Sequence, residues 1–183
     1  YISRMLGAKE RELAEQMAST GFVLSIVAGV IIAVLGQLFL TPLCIALGST
    51  STILPYTERY LGIVMLGAPF MTASLTLNNQ MRFQGNASYA MCGILSGVVL
   101  NFVLAPLLIL YFALGITGAA IATLTSQTFG FLMLFRMSRR SQNISIHISN
   151  VRFSRDFMKE IVFGGTPSLS RQGLGSLSTI CPL

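Results

Sequence analysis

The chain reads as an all-α polytopic membrane protein, and three observations point that way. Of its 183 residues, 53% are apolar and 10% charged, with a mean hydropathy of +0.73, whereas charged residues make up about a quarter of a soluble domain. Between Phe83 and Phe135 no residue is charged. A helix rises about 1.5 Å per residue, so about 20 residues cross a hydrocarbon core of about 30 Å and this run needs two crossings. Finally, most of the cations lie between the apolar runs. The net charge of +6 therefore fits membrane topology better than a basic face for nucleic acid.

Taken in order, Leu6 to Gln16 (LGAKERELAEQ) alternates charges on a helical frame, with Arg11 and Glu15 at i,i+4, and leads into a first span at about 17–40. Thr41-Pro42 ends or bends that helix, because proline removes a backbone donor and crowds the preceding turn. Leu43 to Thr57, with Gly48-Ser49-Thr50-Ser51, is expected as a loop. The second span is placed at about 58–80 with Pro69 in its middle, where it leaves the Met65 carbonyl without its usual partner and predicts a kink.

A polar elbow around Arg82 to Asn86 then feeds a third span at about 88–113. The break Leu114-Gly115-Ile116-Thr117-Gly118 separates it from a fourth at about 116–137. Residues 137–156 form a basic, polar linker. In it Ile144, Ile146 and Ile148 alternate with polar residues, expected here as an interfacial segment rather than a strand. Residues 157–183 begin a fifth apolar segment that carries Pro167 and is still unfinished at Leu183. With Tyr1 at the start, this leads us to expect an internal fragment.

Orientation follows from the cations. Arg4, Lys9, Arg11, Arg82, Arg136, Arg139, Arg140, Arg152, Arg155 and Lys159 fall on one side of these spans, Arg59 on the other, and Arg171 within the fifth segment. By the positive-inside rule the first side is cytoplasmic. The sequons Asn86-Ala87-Ser88 and Asn143-Ile144-Ser145 then face the cytoplasm and are chance matches.

Few residues carry reactive chemistry. Cys44, Cys92 and Cys181 are scattered in apolar context without metal or redox spacing, as packing residues. His147 stands alone in the linker as a solvated residue, so no metal site is expected. No nucleophile motif, phosphate loop or paired carboxylate occurs in any span, and an enzyme is not expected.

The informative residues are intramembrane and small or amidic. Gly93, Gly97, Asn101 and Ala105 recur every four residues, placing one amide in a stripe of small residues on one helix face. Pro106 follows and frees the carbonyl of Phe102, beside Asn101. Two readings stand: a close helix contact held by an Asn101 hydrogen bond, or a polar site beside a bending helix. The fourth span offers Gly118, Ala119, Ala122, Thr123 and Ser126, where Thr123 can bond its own backbone. Gln37, Asn78, Asn79 and Gln127 are further polar groups in or beside spans, and Glu58 with Arg59 forms a far-side interface anchor or pore mouth.

At these residues the chain resembles a known family. LGAKERELAE before an apolar helix, NNQMRFQGN, GVVLNFVLAPLLI, LGITGAAIATLTSQ and GGTPSLSRQ after a basic linker resemble, in order and spacing, the multidrug and toxic compound extrusion (MATE) transporters. The resemblance implies a two-lobe, twelve-helix transporter. Residues 1–136 would be helices three to six of the first lobe, 137–156 the cytoplasmic inter-lobe linker and 157–183 the start of the second lobe. It implies cation-coupled export of amphipathic, often cationic compounds by alternating access, from a multi-pass protein of the plasma membrane. The full-length protein would be a monomer needing no cofactor beyond a coupling H+ or Na+, with the lipid bilayer and a small molecule as partners and no nucleic acid.

In many members an Asn, an Asp four residues later and a threonine on the next helix share a cation site with a first-helix Asp. The Asn matches Asn101 and the threonine Thr123, but the Asp position is Ala105. Asn and Thr do not titrate near neutral pH, so coupling would rest on a carboxylate elsewhere or follow another route. Pro106 and Pro69 are the helix-hinge candidates. Two alternatives remain: a lipid-linked oligosaccharide flippase of the same superfamily, and a membrane scaffold subunit that transports nothing.

Overall fold

The computed structural model describes residues 11–140, and every regular element among them is a helix. The expectations for the linker, the second-lobe segment, His147, Pro167 and Cys181 lie outside the described residues. Six α-helices follow one another: α1 (Arg11–Leu38), α2 (Leu40–Ala46), α3 (Leu54–Met65), α4 (Ala68–Phe83), α5 (Ala87–Pro106) and α6 (Gly115–Arg140). A short π-helix, Leu107–Tyr111, extends α5. Three of these stretches are long and apolar enough to cross a membrane, Glu12–Leu38, Ala87–Tyr111 and Gly115–Arg139, and α3 with α4 makes a fourth if taken as one bent span.

Proline decides where the helices break, because each removes the N–H that would serve a carbonyl four residues earlier. Pro42 cannot serve Leu38, and Leu38 is the last residue of α1. The chain turns at Phe39 (φ −108°, ψ 29°), and α2 starts at once with Pro42 in its first turn. The expected loop from Leu43 to Thr57 is therefore shorter: Leu43–Ala46 is helical, and α3 begins at Leu54 with Pro55 among its first residues. Proline is tolerated there because the first N–H groups of a helix have no partner within it.

The second span departs from expectation in the same way. Pro69 does not kink the middle of one helix from 58 to 80. Met65, the residue it cannot serve, ends α3, and Pro69 lies in the first turn of α4. The two helices meet at Leu66–Gly67 with a bend of 50°. At the joint, a Cβ on Gly67 would meet the end of the Gln127 side chain of α6 and come within 3.0 Å of the Val64 carbonyl.

Pro106 behaves differently, since α5 passes through it without a break. The ladder instead widens just beyond: Phe112 N–H donates to Leu107 O, five residues back, at 3.2 Å, and Leu114 N–H to Leu108 O at 3.2 Å. These wide bonds serve the Leu107 and Leu108 carbonyls, downstream of the Phe102 carbonyl that Pro106 cannot serve. The turn into α6 is tight. Ala113 (φ 52°) and Gly115 (φ 54°) both take left-handed backbone, which glycine adopts freely and alanine only at a cost.

The helices pack in two principal pairs, α1 along α4 and α5 along α6, and α3 and α4 also touch α6. The buried core gathers at one end of the bundle, where Phe22, Ala73, Leu77, Met81, Ala90 and Leu134 meet, flanked by Ile26, Phe131, Phe135 and Met137. Phe22 stacks on Phe135 (centroids 5.9 Å apart), and Arg139 lies over the Phe135 ring at 4.9 Å. That contact sets the cationic end of α6 against the aromatic core. The cysteines divide: Cys44 is fully buried, whereas Cys92 is exposed on α5 and does not pack inside the bundle.

Candidate functional site

Alternate turns of α4, α5 and α6 line an open cavity of about 330 Å³. From α4 it receives Met71, Ser74, Leu75 and Asn78, spaced i, i+3, i+4 and i+7 so that they share one face. From α5 come Gly93, Ile94, Gly97, Val98 and Asn101, and from α6 Thr123, Ser126, Gln127, Gly130 and Leu134. Among the described residues, no ionisable side chain lines it. Its walls are aliphatic, interrupted by amides and hydroxyls.

Glycine shapes the α5–α6 wall. A Cβ on Gly93 would collide with the Leu134 side chain, and one on Gly97 would sit 3.1 Å from the Ser126 carbonyl and 3.5 Å from Gly130 Cα. The two backbones therefore approach closely along the expected stripe, which faces α6. One helical turn further along, Asn101 replaces the small residue and the contact becomes polar. Thr123 donates its hydroxyl to Ala119 O at 2.9 Å, and its oxygen accepts a long contact from Asn101 Nδ2 at 3.5 Å. Both readings of Thr123 are present at once, a backbone bond within its helix and a partner for Asn101.

Three candidates stand apart from the cavity. Ala105 is half-buried and outside its lining. Pro106 sits at the junction of α5 with the π-helix. Pro69 is pressed against α1, where a Cβ on Gly29 would come within 2.6 Å of its Cα. Glu58, at the far end, accepts a hydrogen bond from Thr41 Oγ1 at 2.6 Å, tying α3 to α2. Gln37 Nε2 adds a second tie, to Gly62 O at 2.5 Å.

The α4 face was not anticipated as part of the site, although Asn78 stood out as a polar residue. Its signal is the spacing of Met71, Ser74, Leu75 and Asn78, which is hard to notice when apolar residues surround it on every side. Asn78 is 5% exposed and donates to Ala90 O at 2.9 Å, bridging α4 to the first turn of α5. Ser126 is 4% exposed, and its hydroxyl has no partner among the described residues. The same is true of Gln127 Oε1.

Comparison with known proteins accords with this architecture. The Multidrug export protein MepA of Staphylococcus haemolyticus (strain JCSC1435) is 32% identical over 169 residues, which are 92% of this chain and 37% of that protein. The protein of the same name from Staphylococcus aureus (strain MRSA252) is 31% identical over 170 residues, 92% of this chain and 38% of its own length. The chain thus spans under two-fifths of these relatives.

Among solved structures, the outward-facing conformation of a multidrug resistance MATE family transporter of the MOP superfamily matches with a TM-score of 0.90 at 28% identity, over 98% of this chain and 40% of that one. The inward-facing conformation matches with a TM-score of 0.85 at 28% identity, over 91% and 38%. These likenesses and the apolar helices make this a multi-pass membrane protein. The family model described as MatE matches residues 1–107, and with that coverage the chain belongs to the MatE family.

Proposed function

We propose that this chain is part of a cation-coupled secondary antiporter that exports amphipathic compounds by alternating access, with its basic segments in the cytoplasm. The observation that carries the proposal is the cavity between α4, α5 and α6. It is aliphatic enough to accept an apolar body and holds amides and hydroxyls that can orient one without being specific to it. The names of the relatives, multidrug export proteins, support the same substrate class.

Alternating access needs a segment that keeps its shape while its surroundings rearrange. The likeness of this chain to both an outward-facing and an inward-facing transporter supports that role for the bundle as a whole, the end of α5 beyond Pro106 being the part that changes shape. Coupling to H+ or Na+ remains part of the proposal. With Ala105 in the family's carboxylate position and no ionisable group lining the cavity, the proton-titrating group lies elsewhere in the protein, and Asn101 with Thr123 supplies oxygen and amide dipoles. Pro106 acts in this scheme as a bending point, the π-helix after it exchanging with α-helical geometry.

Efflux of a fluorescent amphipathic cation from membrane vesicles holding the full-length protein tests the proposal, under an imposed pH gradient and separately under a sodium gradient. Export driven by either gradient is expected, and the gradient that works identifies the coupling ion. No export under both would overturn it in favour of lipid-linked flipping or a scaffold role. Pro106→Ala is expected to slow export and shift the inward/outward population; an unchanged rate and population would remove the hinge.

A further inference from the structure

We propose that the groove between α4 and α5 seats an acyl chain of an anionic phospholipid, whose phosphate is held by Arg82 at the groove's narrow end. The proposal goes beyond the exporter reading and needs only that these helices stand in a bilayer.

The groove is a wedge. Asn78 Nδ2 donates to Ala90 O at 2.9 Å and ties α4 to α5 at one end. Beyond that tie the cavity lies between the two helices, with α6 behind it. Its lining residues Met71 and Leu75 on α4 and Ile94 and Val98 on α5 are 43% to 57% exposed, so they form an apolar mouth rather than a sealed wall. Arg82 continues the α4 edge of this mouth. Counted from Met71, Leu75 and Arg82 stand at i+4 and i+11, within about 40° of it around the helix. Arg82 is exposed in the last turn of α4 and has no ion pair or hydrogen bond among the described residues.

Charge, depth and length select the occupant. A free guanidinium matches phosphate with parallel N–H donors, and a bilayer surface that carries anionic lipid attracts it. Arg82 lies close to Ala87, where the α5 span begins, and Tyr89 on the first turn of that span is 53% exposed. Tyrosine is enriched at the membrane–water interface, so Arg82 stands at the depth of the headgroups. From there to Met71 the helix rises about 16 Å, half of a hydrocarbon core of about 30 Å and the depth that the chains of one leaflet fill. A cationic amphiphile would be repelled by Arg82, and a free phosphate would leave the apolar mouth bare. The acidic groups at this end among the described residues, Glu12 and Glu15, belong to α1, which Gln80 bonds from the other side of α4.

Native mass spectrometry of the purified full-length protein measures the lipid it retains from an equimolar mixture of dioleoyl phosphatidylglycerol and phosphatidylcholine, with thermal unfolding followed in the same mixture. Wild type is expected to retain phosphatidylglycerol preferentially. Arg82→Gln is expected to lower that retention about fivefold, the effect of one cation near a bilayer surface, and to leave phosphatidylcholine unchanged. Arg82→Lys, which keeps the charge, is expected to preserve most of it. Leu75→Trp, which fills the mouth, is expected to release phosphatidylglycerol although Arg82 is intact. Arg136→Gln, at the same end on α6 and outside the cavity lining, is expected to change neither lipid. Equal retention of the two lipids by wild type would overturn the proposal, and an equal loss of both with Arg82→Gln would reduce Arg82 to a packing residue. The same loss with Arg136→Gln would replace the site by a diffuse basic surface. Displacement of the lipid by inorganic phosphate would leave a simple anion site. A lower Tm for Leu75→Trp with unchanged retention would mean that a helix of the protein, not a lipid, covers the mouth.

Discussion

Two helix pairs build this bundle, and both rest on glycine, but one is sealed and the other opens into a cavity. Along α1 and α4, Gly29 lies against Pro69 and Thr72, and the contact is pinned at two further levels. Thr72 Oγ1 donates to Ser25 O at 2.8 Å, and Gln80 Nε2 to Ala18 O at 2.8 Å. Along α5 and α6, Gly93 and Gly97 bring the backbones together, but the polar link beyond them is the long Asn101–Thr123 contact of 3.5 Å. The lesson is that a small-residue stripe sets how closely two helices approach, while the polar groups around it decide whether the contact is locked. The room for a ligand lies beside the α5–α6 pair, between its glycine-lined wall and the face of α4 that carries Met71, Ser74, Leu75 and Asn78.

The strongest way to break this contrast is Gly29→Val. Its Cβ would meet the backbone of Pro69, which cannot swing aside as a side chain can, so we expect a loss of about 3 kcal/mol, the upper part of the overpacking range. Thermal unfolding of the purified full-length protein would show it as a clear fall in Tm, and an unchanged Tm would mean that α1 and α4 are not in tight contact.

Asn101→Ala and Thr123→Ala come next and test the open pair. Each is expected to cut export about tenfold, equivalent to about 1.4 kcal/mol, at preserved surface expression. Stability should change by only about 0.6 kcal/mol, the mean for an interhelical hydrogen bond in a membrane. Export that falls only in step with stability would reduce both residues to packing.

A smaller effect is expected for Gly97→Ala, whose methyl would sit 3.1 Å from the Ser126 carbonyl and force α5 and α6 apart by a few tenths of an ångström. About 1 kcal/mol of stability should be lost, together with a measurable change in ligand affinity, because Gly97 and Ser126 border the same cavity. A change in stability without one in affinity would separate the helix contact from the site. The smallest is Thr72→Val, which keeps the shape but removes the bond to Ser25 O, for about 0.6 kcal/mol. A loss several times larger, seen in the same unfolding measurement, would make that bond the main lock of the sealed pair.

Much of this was legible in the order of residues, because a membrane simplifies the problem. Hydrocarbon leaves the backbone no partner but itself, so long apolar runs become helices; the runs at about 17–40, 88–113 and 116–137 each fall on one long apolar helical stretch, whereas the run at 58–80 is broken in two. The stripe Gly93, Gly97, Asn101 was equally clear, since a period of four is set by the local geometry of the helix. The proline effects were half legible. Each proline marks a carbonyl it cannot serve, at Leu38, Met65 and Phe102, but whether the chain stops, restarts or widens there depends on its neighbours. At Leu66–Gly67 the Gln127 side chain occupies the joint and the helix restarts at 50°. At Pro106 the helix continues and widens into π geometry, which the residue types alone do not predict.

The apolar, helical, membrane-spanning character of the chain thus follows from composition and period, which are local quantities summed along the sequence. The company each polar residue keeps does not. Asn78, Ser126 and Gln127 look alike as isolated polar residues in apolar helices. Asn78 is committed to Ala90 O, Gln127 fills the joint between α3 and α4, and Ser126 is buried where α6 meets Gly97 of α5, a difference that arises only when the helices are brought together. Hydrogen bonds between helices join residues far apart in sequence and are decided by rotation and approach of a fraction of a turn. The folded arrangement therefore decided which of these groups pair across helices and which are buried without a partner among the described residues.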